Sequence, residues 1–338
     1  VSILELTSLA ARLEGDLLVD SLARTAYSTD ASEYQERPLA VAQPKSEADI
    51  AELVRFAAAT GTGLIPRAAG TSLAGQVVGG GIVVDVGRHL NRIIALDVER
   101  RRVRVQPGVV RNELNRFLEP HGLFFPPETS TAGWAMIGGM VGNNSCGSNS
   151  IAWGTTRDHL LSARGFLADG SAATFGPLDA AEFAAACVGD SHAAGIHRAL
   201  RDMLSVPATR QLIRDSFPRP EVTRRNTGYA LDAVMDAACF DPASDRPFNM
   251  CRLLAGSEGT LFFGVEFELN VIPLPPPGGL LCVHCQTVDE ALRATVVVMG
   301  MRARAGLEPT ACELIDKKIL DCTKDNLEQS RNRAFVVG

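Results

Sequence analysis

The sequence predicts an α+β fold, and three observations carry that expectation. The chain is 338 residues long and 46% hydrophobic, more than one core needs and too apolar for disorder, so two packed units are expected. Its 31 Gly and 18 Pro lie beside short apolar runs, as turns between many strands and helices require. Hydrophobic periodicity changes along the chain, from helical spacing over 46–60 to alternation over 102–106 and 261–271.

The elements follow in order. After an N-terminal helical segment (1–37), Ser46 caps a helix running to Thr60, with Ile50, Leu53, Val54, Ala57 and Ala58 on one apolar face and Gly61 at its end. Strands are expected at 63–66, 81–85, 93–96 and 102–106, together making one α+β module with a glycine loop inside. Val110, Leu114, Phe117 and Leu118 line a second helix ending near Gly122. Residues 163–174 read as two strands joined by an Asp-Gly turn. Residues 180–240 read as helical or irregular. In the alternating run 261–271, Phe263, Val265, Phe267 and Leu269 face inward against Glu266 and Glu268, as a strand closing a second sheet. Pro273–Gly279 is a linker in which prolines bar both helix and central strand. Beyond it, strand 280–285, helix 288–305 and strand 309–315 open a further α+β domain that has too little chain to finish.

Charge and composition exclude several functions. A net charge of -6 with no basic stripe leaves little to neutralise a phosphate backbone, so nucleic acid is not expected as a partner. No apolar stretch approaches the ~20 residues of a membrane span, and the N-terminus lacks the basic start of a secretory signal. These features predict a cytoplasmic chain, with the inner membrane face as the alternative. Because position 1 is Val and Arg333–Gly338 reads as a strand cut mid-element, a piece of a longer protein is expected. The eight Cys are spread widely and are expected to stay reduced. Cys282 and Cys285 sit in an apparent strand, where residues three apart face opposite ways, so strand packing is favoured there over zinc.

Two segments carry chemistry. Between two strands, Pro66-Arg-Ala-Ala-Gly-Thr-Ser-Leu-Ala-Gly-Gln76 has the small residues that let successive backbone N–H groups curl around an anion. Arg67 adds a charge, and phosphate or pyrophosphate is the natural guest, with a plain structural loop as the alternative. The segment from Phe125 to Asn149 is rich in small and amide residues, reads as poor helix or strand, and suits backbone wrapping a ligand; a wandering loop is the alternative. Neither segment has the glycine spacing of a Rossmann or P-loop site.

With Ile137-Gly-Gly-Met-Val-Gly-Asn-Asn-Ser-Cys-Gly147, Trp153-Gly-Thr-Thr-Arg-Asp158 and Leu254-Ala-Gly-Ser-Glu-Gly-Thr-Leu261, these segments resemble the FAD-linked oxidase family, whose FAD domain is shared by vanillyl-alcohol oxidase and p-cresol methylhydroxylase. The resemblance covers about residues 25–275 in consistent order. Arg224–Leu231 is similar to flavin-dependent D-lactate, D-2-hydroxyglutarate and glycolate dehydrogenases. Phe125-Pro-Pro-Glu-Thr-Ser-Thr131 resembles the branch whose long members carry a C-terminal iron–sulfur domain.

The resemblance implies a two-subdomain FAD-binding domain at 38–275, divided near 108, followed from 276 by the start of a truncated cap domain. It implies FAD with its pyrophosphate on Arg67, Ala68, Ala69, Gly70, Thr71, Ser72 and Gln76. The isoalloxazine would lie near Pro127, Glu128, Thr129, Ile137, Gly138, Gly139, Gly142, Asn143, Asn144, Ser145 and Gly147, with Asp158, Ser257, Glu258, Gly259 and Val265 completing the site. Family members with 8α-histidyl-FAD carry His where this loop has Thr71, which implies a noncovalent flavin. The cap supplies the family's base and metal-binding histidines, so no metal site is expected here; Asn226 and Tyr229 are the first places to look for a catalytic group. The implied reaction oxidises a D-2-hydroxy acid and passes electrons to an iron–sulfur domain, quinone or cytochrome. Alternatives are a flavin-binding fragment without its own activity, or another enzyme on the same domain, such as a sugar or aldonolactone oxidase or an NADPH-using reductase.

Overall fold

Apolar runs of four residues, too short for helices, build the first sheet. In the computed structural model, which describes residues 1–222, 224–226, 228–305, 309–323 and 326, its strand order is Asp16–Leu18, Ala40–Gln43, Ile82–Asp85, Leu64–Arg67. The last three strands are mutually parallel and the first is antiparallel to its neighbour. Ala40, Val41, Ile82 and Val83 are fully buried, as expected of parallel strands covered on both faces. Helix Glu47–Thr60 packs Ile50, Leu53, Val54 and Phe56 into this core, with the Ser46 side chain accepting from Asp49 N and Gly61 left-handed at its end. The N-terminal segment was expected to be helical. It forms helices Ile3–Ala10 and Ser21–Ala26, but the chain between them joins the sheet edge because Gly15 permits close approach: a Cβ there would lie 2.2 Å from the Gln43 carbonyl oxygen.

The second sheet is antiparallel, in the order Ile93–Asp97, Arg102–Val105, Phe263–Asn270, Leu160–Phe166, Ala172–Phe175. Two expectations are corrected by it. Strands 93–97 and 102–105 belong to this sheet and not to the module of 63–85, because Arg102–Val105 finds its partner 162 residues away in Asn270–Phe267. Strand Phe263–Asn270 is the centre of the sheet rather than its closing edge, and Glu266 on it is buried. The carboxylate is tolerated because Arg104 Nε (2.5 Å) and Arg164 Nη2 (2.7 Å) donate to its two oxygens. Arg164 also grips Glu47 at the start of helix 47–60, tying the two sheets together. Phe263 and Val265, at the start of the central strand, complete the core of the first sheet. Leu269 and Phe267 pack into the second core with Leu160, Phe175 and Ile137.

Burial raises the Glu266 carboxyl, but the two arginines outweigh it and hold the group below its usual 4.5. With a depressed folded-state pKa, the stabilisation is present above that usual value and is lost as pH falls through the folded one. Glu266→Gln is therefore expected to cost roughly 1–3 kcal/mol near neutrality. Its melting-temperature deficit should shrink steadily below about pH 4.5; a deficit unchanged at pH 3 would refute the pairing argument.

Contacts divide the chain into two units, Val1–Gly147 with Gly154–Leu274, and Ser148–Trp153 with Pro275–Gly338. All the strands above lie in the first. In the second, the described elements are helices Ser150–Trp153, Val288–Ala305 and Lys317–Thr323. Segments 280–285 and 309–315 were expected as strands and form none. A strand persists only when a neighbour takes its ladder hydrogen bonds, and among the described residues none pairs with either segment; Leu280 is 87% exposed. Cys282 and Cys285 therefore do not sit on opposite faces of a strand.

Candidate functional site

Parallel strands leave their carboxyl ends open to ligands, and beyond Arg67 the chain bends into an irregular loop because Gly70 and Gly75 take φ of 67° and 75°. The loop is pinned from beneath. Arg67 Nη1 donates to Thr29 O (2.7 Å), its guanidinium lies 5.2 Å from the Tyr27 ring centroid, and Ala31 N donates to Gly70 O. Tyr27 in turn donates to Asp85 (2.6 Å), and burial together with that carboxylate pushes its phenol up. This backbone course leaves the N–H groups of Ala68 to Leu73 with no protein acceptor among the described residues. The residues that carry these six successive donors line a cleft, which makes the loop a candidate anion cradle.

The second wall is a helix that the sequence reading missed. Ile137–Asn143 is helical where irregular backbone was expected. Its glycines are poor helix formers in isolation, but tertiary contacts decide the outcome. Ile137, Met140 and Val141 are buried, and Ile137 N and Gly138 N donate to Val109 O and Pro107 O. Gly138 sits so tightly on Pro107 that a Cβ would lie 2.6 Å from the proline Cβ, and a Cβ on Gly139 would lie 3.3 Å from the Ala68 Cβ. The small residues therefore serve helix seating as well as the cleft.

The third wall is the turn 255–259. Gly256, Glu258 and Gly259 all have positive φ, and Gly256 N and Glu258 N donate to Val141 O and Gly142 O, so the turn lies against the end of the helix. Asn143 donates to the Glu258 carboxylate (2.9 Å). Burial raises the Glu258 carboxyl and the Asn143 bond lowers it; the net direction is upward.

These walls enclose a cleft of about 590 Å³, within the range of small-molecule sites. Of the expected site residues it brings together Arg67, Ala68, Ala69, Gly70, Thr71, Ser72, Gln76, Thr129, Gly138, Gly139, Gly142, Asn143, Ser145, Ser257, Glu258 and Gly259. Pro127, Glu128, Ile137, Asn144, Gly147, Asp158 and Val265 are not among the lining residues. Ile137 and Val265 are core. Asp158 accepts from Thr155 N and Oγ1 as a helix cap. Asn144 is the left-handed cap of helix 137–143 and accepts from Arg157 N. Pro127 O accepts from Arg111, and Gly147 O accepts from Arg224. A Cβ on Gly147 would lie 2.3 Å from the Glu128 carbonyl oxygen, so these two hold one loop against another. Asn226 donates to Asn143 O and Tyr229 shares a 2.7 Å bond with Thr260; neither lines the cleft.

Sequence reasoning missed Pro107, Met136, Met140, Cys146, Phe262 and Phe267 as lining residues. Phe267 carried an alternation signal that reads as core, Phe262 stood out of phase with it, and nothing local marks where a strand leaves the core for a cleft. Among the described lining residues Arg67 and Glu258 are the charged ones and there is no His. Any anion held here would therefore be bound mainly by backbone donors.

Residues 38–176 match the family model described as FAD binding domain. The chain is 36% identical over 312 residues to the D-2-hydroxyglutarate dehydrogenase of Pseudomonas putida, covering 90% of this chain and 29% of that protein. With the D-2-hydroxyglutarate dehydrogenase of Escherichia coli it shares 37% identity over 317 residues, 93% of this chain and 30% of that protein. It is 31% identical to the glycolate oxidase subunit GlcD of Bacillus subtilis, over 89% of this chain and 51% of that one. The chain thus spans about 30% of the length of the two dehydrogenases. Among solved structures, an alkyldihydroxyacetonephosphate synthase superposes with a TM-score of 0.55 at 17% identity, covering 82% of this chain and 41% of that one, a likeness of fold.

Proposed function

We propose, from the match of residues 38–176 to the family model described as FAD binding domain, that the cleft holds FAD for the oxidation of a D-2-hydroxy acid to its 2-oxo acid. The run of unpaired N–H groups from Ala68 to Leu73 carries this reading: it fits a pyrophosphate without any lysine. The residues present suit the rest of the group as well. Thr129, Gly138, Gly139 and Ser145 offer small and polar surface for the flavin end, while Met136, Phe262 and Phe267 exclude water. Bound there, FAD would supply the two-electron acceptor for the hydride released from C2 of the alcohol. Relatives named D-2-hydroxyglutarate dehydrogenase, matching 90–93% of the chain, support that substrate class.

A second reading is favoured by the composition of the cleft, which offers one carboxylate, Glu258, and no His among the described lining residues. In it the chain supplies flavin binding, and substrate deprotonation belongs to residues outside these 338. Anaerobic addition of D-2-hydroxyglutarate, D-lactate and glycolate to the FAD-loaded protein separates the two. Bleaching of the flavin, fastest with D-2-hydroxyglutarate, is the result expected of the first reading. A spectrum stable to all three leaves the second, and absence of any flavin spectrum after adding FAD ends both.

Thr71 carries no nucleophilic imidazole, so acid precipitation is expected to leave the yellow colour in solution. Colour in the washed pellet would refute noncovalent binding.

A further inference from the structure

One arginine outside the cleft holds two of its walls together. Arg157 is buried, and burial pushes its guanidinium down to about 10. Its Nε donates to Arg252 O (2.8 Å), its Nη2 to Ala255 O (2.7 Å), and its backbone N to Asn144 Oδ1 (2.8 Å). Asn144 caps helix 137–143, and Ala255 opens the turn that carries Glu258. The guanidinium lies directly under that turn: a Cβ on Gly256 would be 2.8 Å from Nη2, a clash that Gly256 avoids by having no Cβ, and its φ of 91° also suits glycine. Gly256 N and Glu258 N then reach Val141 O and Gly142 O. Arg67 stands in the same relation to Gly70 at the opposite wall, with a Cβ there 2.6 Å from its Nη2, but Arg67 lines the cleft and Arg157 does not.

We infer that Arg157 is a positioning residue for the cofactor, setting the separation of turn 255–259 from helix 137–143: its guanidinium holds the Arg252 and Ala255 carbonyls on one side, its main-chain N–H holds the Asn144 cap on the other, and it does not touch the ligand. The inference rests on the reading of the cleft as an FAD site. A buried cation against two carbonyls is replaceable only by a group with the same forked donors. Lysine keeps the charge and reaches one acceptor, and methionine keeps an unbranched apolar stem and reaches neither.

The test titrates FAD into wild-type protein, Arg157→Lys and Arg157→Met, reading Kd, the visible circular dichroism of the bound flavin and the dependence of Kd on salt. Exchange of the Gly256 and Glu258 amides with deuterium is measured without FAD. Arg157→Met is expected to weaken binding at least tenfold, alter the flavin dichroism and speed exchange of both amides, and Arg157→Lys to recover part of each. The salt dependence should stay that of wild type, because no charge on the phosphate has been removed; Arg67→Ala should flatten it. Wild-type affinity and dichroism in Arg157→Met would overturn the inference, as would a flattened salt dependence, which marks direct contact. If Arg157→Met does not fold, Arg157→Lys decides: unchanged affinity, dichroism and exchange overturn the inference, and partial loss of all three supports it. Wild-type protein that takes up no FAD overturns the cleft reading and this inference with it, a result distinct from binding that ignores Arg157.

Discussion

Gly70→Val is expected to abolish FAD binding at micromolar protein while leaving the fold intact. Gly70 has φ of 67°, and an L residue in that region costs about 1–2 kcal/mol, more when β-branched. A Cβ there would also sit 2.6 Å from Arg67 Nη2, so the guanidinium would have to leave Thr29 O and its place beside Tyr27. Relief comes when the loop swings to negative φ, which disperses the N–H groups of Ala68 to Leu73. A loss of several charge-assisted bonds at roughly 1.5–3 kcal/mol each amounts to more than a hundredfold in Kd. Arg67→Ala removes one side chain and leaves the backbone donors, so about a tenfold loss is expected. The order of the two variants is the test: titration showing Gly70→Val binding as wild type does would mean that this loop is no phosphate cradle.

A second loss of binding is expected from Gly138→Val, by another route and with a different signature. Its Cβ would lie 2.6 Å from Pro107 Cβ and 3.1 Å from both Pro107 Cα and O. Proline backbone yields little, so the helix must retreat, breaking the Gly138–Pro107 bond (2.8 Å) and the Ile137–Val109 bond (2.9 Å) and lifting Ile137 and Met140 from the core. Overpacking of this kind costs typically 1–3 kcal/mol, with about 1 kcal/mol for each hydrogen bond. The melting temperature should fall by roughly 5–10 °C, whereas Gly70→Val, on a loop, should change it little. Thermal melts without FAD distinguish a variant that has lost only the cradle from one that has lost a wall. Wild-type stability in Gly138→Val would show that the helix is not seated on Pro107.

Much of the site was legible because its chemistry is local. The run 66–76 announces unpaired backbone donors through its small residues, and the cap at Ser46 and stop at Gly61 follow from side-chain hydrogen bonding and left-handed φ in the same few residues. The run 137–147 was recognised as important and misread in form, since helix propensity counts the three glycines of 137–143 against a helix there while burial of Ile137, Met140 and Val141 counts for it. Asp158 and Asn144 were read as cofactor contacts because they stand in the right motifs; the Asp158 carboxylate and Asn144 Oδ1 are bonded in caps, while Asn144 Nδ2 is buried without a partner among the described residues.

By itself the sequence determined the mixed fold class, the helix from Ser46 to Thr60, the strand pair read over 163–174, the strand read over 261–271 and the glycine loops, because alternation, capping and φ preference act over a few residues. Only the tertiary structure decided which strands share a sheet, since Arg104 meets Glu266 across 162 positions and nothing near either one encodes the other. It alone turned Ile137–Asn143 into a helix and put Arg157 beneath Gly256, and it denied strands to 280–285 and 309–315. Burial and ladder pairing depend on what arrives from elsewhere in the chain, and a strand with no neighbour, however apolar, has nothing to accept its hydrogen bonds.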